Sequence, residues 1–268
     1  MFFAKIRKIV LDTLFPIECL GCGKEDVWLC DECFQNLPLK QGYLEPIDFS
    51  PSYLDGFFVA SDWENKVLQE TIRKLKYNFV QELSVPLSNL LIRKTEKIFE
   101  IYKDVNSFTI IPVPLHKRRL SWRGFNQAEL LAKQVAERFK MELDNNLIKR
   151  VKNTLPQVKL KGKARAKNIA GAFDVNPSRV GLEAGTGSLR ASSRFMPGAS
   201  LFGLKNTIFT GIIGDPRVHA GKPVPDINGK SFLLIDDIIT TGATVNEVAK
   251  VLKNYGAKEV WALAIARG

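Results

Sequence analysis

Two carboxylates followed by a run of hydroxyls mark the place in this chain best equipped for chemistry. The stretch reads Phe232-Leu233-Leu234-Ile235-Asp236-Asp237-Ile238-Ile239-Thr240-Thr241-Gly242-Ala243-Thr244. The start of a helix offers backbone N–H groups without intrahelical partners and the positive end of a dipole. Thr240, Thr241 and Thr244 add hydroxyl donors, and Gly242 lets the backbone curl closely around a ligand. Such a turn suits a phosphate monoester. Asp236 and Asp237 would repel that phosphate. They suit the neutral hydroxyls of a sugar, or a Mg²⁺ ion bridging to it, so a sugar phosphate satisfies both halves at once. The plainer alternative is an acidic pair that merely ends a strand and a threonine that caps a helix. The order of the whole set favours the ligand.

A second group of residues can hold a metal. Cys19-Leu20-Gly21-Cys22 and Cys30-Asp31-Glu32-Cys33 contain all four cysteines of the chain. Two C-x-x-C knuckles can present four thiolates to one Zn²⁺ in a closed tetrahedral, structural site. The gap between the knuckles is shorter than in the commonest zinc ribbons. A pair of disulfides is the alternative, disfavoured in a reducing compartment. Lys24 stands among Glu25, Asp26, Asp31 and Glu32, so the module lacks the dense cationic pattern of a nucleic-acid reader. It reads as a staple or a protein contact.

The elements that must position these groups follow from hydrophobic period. The apolar half of the central stretch is a strand buried on both faces of a parallel sheet. The acidic pair falls where that strand is expected to end. The following helix runs through Val245, Val248, Ala249, Val251 and Leu252, with Gly256 as its stop. Further strands are expected at Gly56-Phe57-Phe58-Val59-Ala60, Phe108 to Val113, Ala170 to Val175 and Lys258 to Arg267. Helices are expected at Val67 to Tyr77, from Leu83 or Pro86 to Ile101, and from an Asn126 cap to about Lys140. Pro112 and Pro114 end a strand and hold Lys117, Arg118 and Arg119 in a basic loop near the carboxyl edge of the sheet. His116 reads as an exposed turn residue rather than a general base. The cations of Ile72-Arg73-Lys74-Leu75-Lys76-Tyr77 face either phosphate, nucleic acid or solvent.

The stretch from Phe232 to Thr244 resembles the phosphoribosyl diphosphate (PRPP) loop of type I phosphoribosyltransferases. The two cysteine knuckles, Ile72 to Tyr77 and Arg123-Gly124-Phe125-Asn126-Gln127 narrow the resemblance to the ComF/GntX group, associated with competence and DNA uptake. The resemblance implies a doubly wound, mainly parallel α/β sheet preceded by a zinc-knuckle module. The divisions are 1–50 for the N-terminal helix and knuckles, and 51–268 for the phosphoribosyltransferase-like domain. It implies PRPP contacts from Asp236, Asp237, Ile239, Thr240, Thr241, Gly242, Ala243 and Thr244, with Mg²⁺. Lys117, Arg118 and Arg119 would face the diphosphate. Thr154, Gln157, Arg165 and Asn168 would belong to a hood loop that closes over the sugar and excludes water.

Pro177 to Asn228 departs from the pattern, because the group has only a short turn there. Its glycines and prolines break both periodicities, and it reads as a flexible insertion. Gly185-Thr186-Gly187 lacks the strand and helix of a nucleotide fingerprint.

Composition bounds the function without choosing it. The 39 basic and 28 acidic residues leave a formal charge of +11, compatible with nucleic acid, a phosphorylated ligand or an acidic partner. No run approaches the roughly 18 apolar residues of a membrane span. Met1 to Ile17 reads as an amphipathic helix, not a signal peptide, because Asp12, Pro16 and Glu18 interrupt it. The cytoplasm is the expected compartment. Three functions remain open: a PRPP-binding protein of DNA uptake, a non-enzymatic adaptor for single-stranded DNA and a helicase, and a salvage phosphoribosyltransferase with an unknown acceptor.

Overall fold

A computed structural model of the chain describes residues 16–40, 44–47, 50–154, 167–176 and 227–268. The expected N-terminal helix, most of the hood loop and all but the last two residues of the insertion lie outside them. The described chain begins with the cysteine knuckles and a short helix α1 (Asp31–Gln35). There follow β1 (Gly56–Asp62), α2 (Lys66–Tyr77), α3 (Ser84–Ile101), β2 (Thr109–Pro112), α4 (Lys117–Arg123), α5 (Gln127–Phe139), β3 (Ile148–Arg150), β4 (Phe173–Val175), β5 (Ser231–Ile239), α6 (Ala243–Asn254) and β6 (Glu259–Arg267).

The main sheet has the order β1-β6-β5-β2, and every pairing is parallel. Strand β5 is central because its residues are apolar on both faces. Leu233 and Ile235 enter one core, and Phe232 and Leu234 enter the other. The first core is covered by Leu68, Ile72 and Leu75 of α2, Leu87, Leu90 and Leu91 of α3, and Leu131 and Val135 of α5. The second is covered by Val245, Val248, Ala249 and Leu252 of α6. Helices therefore lie on both faces, as a doubly wound sheet requires.

Local signals set the helix ends. The Asn65 side chain accepts from Leu68 N at 2.9 Å and starts α2. Asn126 caps α5 by accepting from Ala128 N at 3.2 Å, and it donates to Val113 O, which ties α5 to the end of β2.

Three features differ from the sequence reading. Strand β5 does not end before the acidic pair; it continues to Ile239, because β6 pairs with it as far as Ile239↔Arg267. Lys117, Arg118 and Arg119 are not in a loop but form the first turn of α4, which His116 caps and Gly124 ends at φ 80°. Strand β3 was not expected; it pairs antiparallel with β4 in a separate two-stranded sheet.

The cysteine knuckles pack into the first core. Cys19, Leu29, Cys30 and Leu37 share one apolar cluster with α2, α3 and α5. A Cβ on Gly21 would lie 2.5 Å from Cys33 Sγ, so only glycine fits that turn. Gly21→Ala is therefore expected to lower thermal stability and metal retention together, read by melting and by metal content.

Candidate sugar-phosphate and metal sites

The turn from β5 into α6 encloses an open hollow. Asp236, Ile238, Ile239, Thr240, Gly242, Ala243, Thr244 and Val245 line it. Gly242 occupies the N-cap position of α6 at φ 71°, a conformation that glycine adopts without strain, and no side chain caps the helix there. The first amides of α6 have no intrahelical partner. Thr241 Oγ1 is buried without a hydrogen-bond partner in the described structure. Such an orphaned hydroxyl is costly in an apolar setting and useful beside a ligand.

The two carboxylates have different surroundings. Successive strand residues point to opposite faces. Asp236 lines the hollow, whereas Asp237 does not. Asp237 is buried, and its Oδ2 lies 2.9 Å from Lys76 Nζ at the end of α2. The ammonium sits close but off the hydrogen-bond direction. Asp237 Oδ1 accepts from Ile238 N at 2.6 Å, and Asp236 Oδ1 accepts from Asp237 N at 2.8 Å. Asp236 keeps part of its surface open to the hollow yet lies deep in the protein. Burial and the neighbouring Asp237 push its carboxyl up to about 8, against the pull of Lys76.

Cations gather beside this pair. Arg123 is part-buried beside Asp237 and Tyr77, and it donates to Gln127 Oε1. Arg150 is part-buried beside Arg119 and Asp236; burial first, then Arg119, pulls it down to about 10. The Nε atoms of both arginines are buried without a hydrogen-bond partner. Arg119 donates to Thr154 O at 3.2 Å, and Arg150 donates to the Thr154 hydroxyl. Among the expected hood residues, Thr154 thus braces the arginines, Asn168 is described near β4, and Gln157 and Arg165 lie outside the described residues. His116 is buried rather than exposed. Its Nδ1 accepts from Arg118 N at 3.3 Å, and burial with Arg118, Lys117, Arg150 and Arg119 disfavours its protonation.

Sequence reasoning missed Arg123 and Arg150 as site cations and left Lys76 open. Their charge was visible, but their burial was not. An aromatic pair was missed as well. Phe79 and Trp122 stack edge to face at 5.1 Å, exposed by 40% and 60%, beside Tyr77 and Arg123.

The acidic pair is a poor direct ligand set for Mg²⁺. A Mg²⁺ ion wants near-octahedral oxygen donors on one side. Here one carboxylate faces a lysine on the far face, and the other is pushed toward protonation. The cysteines do fit a metal. Their four sulfurs lie within 4.8 Å of one another, and Cys22 Sγ and Cys30 Sγ are 3.7 Å apart. Tetrahedral Zn–S bonds of about 2.3 Å put sulfurs roughly 3.8 Å apart. All four thiols are free. Burial disfavours the Cys19 thiolate, but donors from Cys30, Cys22 and Gly21 outweigh it and lower the thiol to about 6. The Cys30 side chain, then burial, pushes Cys33 up.

The phosphoribosyl transferase domain family matches residues 126–268. Competence protein F of Haemophilus influenzae is 33% identical over 159 residues, 59% of this chain and 50% of that protein. The chain thus spans half the length of that relative. DNA utilization protein YhgH of Escherichia coli K12 is 23% identical over 236 residues, 87% of this chain and 76% of that protein. Ribose-phosphate pyrophosphokinase of Pyrococcus abyssi is 40% identical over 67 residues, 25% of this chain and 24% of that protein.

Proposed function

The chain belongs to the phosphoribosyl transferase domain family, in its ComF group, and from that premise we propose that it binds PRPP or a closely related sugar phosphate in the hollow between β5 and α6. The single observation that carries this reading is the hollow itself, where an uncapped helix start, a left-handed Gly242 and the Asp236 carboxyl converge. The α6 amides and the Thr240, Thr241 and Thr244 hydroxyls hold the 5′-phosphate. Asp236 holds the sugar hydroxyls. Arg119, Arg123 and Arg150 lie on the side where a diphosphate adds negative charge, and Lys117 and Arg118 extend that field outward. The likeness to a ribose-phosphate pyrophosphokinase fits such a ligand.

Isothermal titration of the metal-loaded full chain tests this. PRPP should bind, and ribose 5-phosphate and inorganic diphosphate should each bind more weakly. Gly242→Val forces a β-branched residue into a left-handed turn, and should lower affinity by roughly tenfold or more. An absence of heat for PRPP in the native protein overturns the reading.

The relatives named for competence and DNA utilization support a role in DNA uptake. One observation favours a second reading, direct contact with single-stranded DNA. The exposed Phe79–Trp122 pair beside Arg123 offers a base-stacking surface next to cations. Oligothymidylate should quench tryptophan emission in a salt-dependent way, and Trp122→Ala should weaken binding by about 1–3 kcal/mol per stacked base. Unchanged binding by Trp122→Ala removes this surface from the account. The four cysteines hold a structural Zn²⁺ in this proposal, because four sulfurs leave no open position for catalysis.

A further inference from the structure

The poor fit of the acidic pair to a divalent ion has a counterpart in Lys76. This lysine comes from α2, outside the matched segment 126–268. Its side chain is 17% exposed and that of Asp237 only 4%, with 2.9 Å between the charges. The same ammonium favours ionisation of Asp236, so its field reaches both carboxylates. Lysine carries three donors on a compact charge. Asp237 is the one ion-pair partner found for it among the described residues. Arg123 adds a second positive charge on the Asp237 side.

We propose that Lys76 is the resident counter-ion of the acidic pair. It holds at Asp237 the place that a divalent cation would take, so the sugar phosphate binds without an ion ligated by these carboxylates. Asp237 is then a positioning residue that fixes Lys76, and Asp236 alone of the pair meets the sugar. This inference rests on the sugar-phosphate reading of the hollow.

Mn²⁺ titration followed by electron paramagnetic resonance reads the claim without any sugar phosphate, on the zinc-loaded full chain. The native protein should leave Mn²⁺ free. Lys76→Gln should gain a Mn²⁺ site at least about fivefold tighter than any in the native protein. Adding Asp237→Asn should remove that site, and Lys76→Arg should behave as the native protein does. Native Mn²⁺ binding that Asp237→Asn abolishes overturns the proposal, as does a folded Lys76→Gln protein with no gain. If Lys76→Gln fails to fold, the Lys76→Gln/Asp237→Asn pair decides. Recovery of folding supports a counter-ion, and continued unfolding overturns it. In a second arm, PRPP affinity of the native zinc-loaded protein should stay within about threefold when Mg²⁺ is left out of a buffer freed of divalent ions beforehand. Lys76→Gln should lose roughly tenfold without Mg²⁺ and recover part of it when Mg²⁺ is added. A complete absence of PRPP binding speaks against the hollow as a sugar-phosphate site, while the Mn²⁺ arm still judges the lysine.

Discussion

Removing the metal from the four-cysteine cluster is expected to unfold more than the knuckles, because they have no core of their own. Cys19, Leu29, Cys30 and Leu37 are buried in the cluster shared with α2, α3 and α5. The segment has one short helix of five residues, α1. Lys74 of α2 lies over the Trp28 ring at 5.2 Å, and Arg93 of α3 lies over Phe34 at 5.7 Å. Without a cation, four sulfurs within 4.8 Å of one another have nothing to bridge them. Structural zinc contributes its binding energy directly to folding, about 10–16 kcal/mol in isolated zinc-finger peptides. Even a third of that corresponds to a fall in melting temperature of roughly 10–20 °C for a domain of this size. Differential scanning fluorimetry with a strong zinc chelator checks it, with metal content measured alongside. Zinc should restore the transition. Cys30→Ser should reproduce most of the loss, because its sulfur is buried and packed against Cys22. Helix α2 also carries Lys76, so metal loss should weaken PRPP binding before global melting. An unchanged melting temperature in metal-free protein would refute the staple.

The part of this architecture legible in the sequence is the part where one signal dominates. Strand β5 opens on an apolar run, Phe232 to Ile235, because both of its faces are buried there. Helices α2 and α5 carry an asparagine cap and a regular apolar spacing. Gly242 announced a turn, and its φ of 71° shows why glycine stands there. Other features depend on partners distant in sequence. Strand β3 spans three residues, two of them cationic, and exists through its pairing with β4. Helix α4 follows two prolines and begins with three cations, so it reads as a loop; the His116 cap and the left-handed Gly124 make it a helix.

The different surroundings of Asp236 and Asp237 were the least legible feature. Two adjacent acids at a strand end read as one unit when the end is placed before them. Extending β5 to Ile239 keeps both on the strand, and its alternation sends them apart. Lys76 is one of several cations on α2, and nothing in their order distinguishes the one that reaches Asp237. The cysteine module likewise looked separable, since the expected division of the chain falls at residue 50, just beyond it. Its burial against α2 and α3 is a property of the packed core.

Neighbouring substitutions at this pair should therefore act in opposite directions on stability. Asp237→Ala leaves the Lys76 ammonium largely buried without its counter-charge, next to Arg123. Breaking a buried ion pair from one side costs about 3–5 kcal/mol. The melting temperature should fall by about 10 °C or more. Asp236→Asn removes a carboxylate that burial and Asp237 hold up at about 8, while an amide oxygen can still accept from Asp237 N. In the native protein the folded state keeps a proton on Asp236 that the unfolded chain has released above about pH 4. Stability from this group is therefore present at low pH and declines as pH rises toward 8. Asp237, Lys76 and Arg150 are the charges that face it. Asp236→Asn should flatten that decline and melt at or above the native temperature at pH 8, while losing most PRPP affinity. Thermal denaturation from pH 5 to pH 9, paired with PRPP titration, separates the two residues. Equal losses of stability in both variants would show that the acids act as one unit after all. A destabilised protein that loses folding when its lysine clamp is broken, beside a stabilised one that loses its ligand, is the signature of one carboxylate kept for structure and one kept strained for binding.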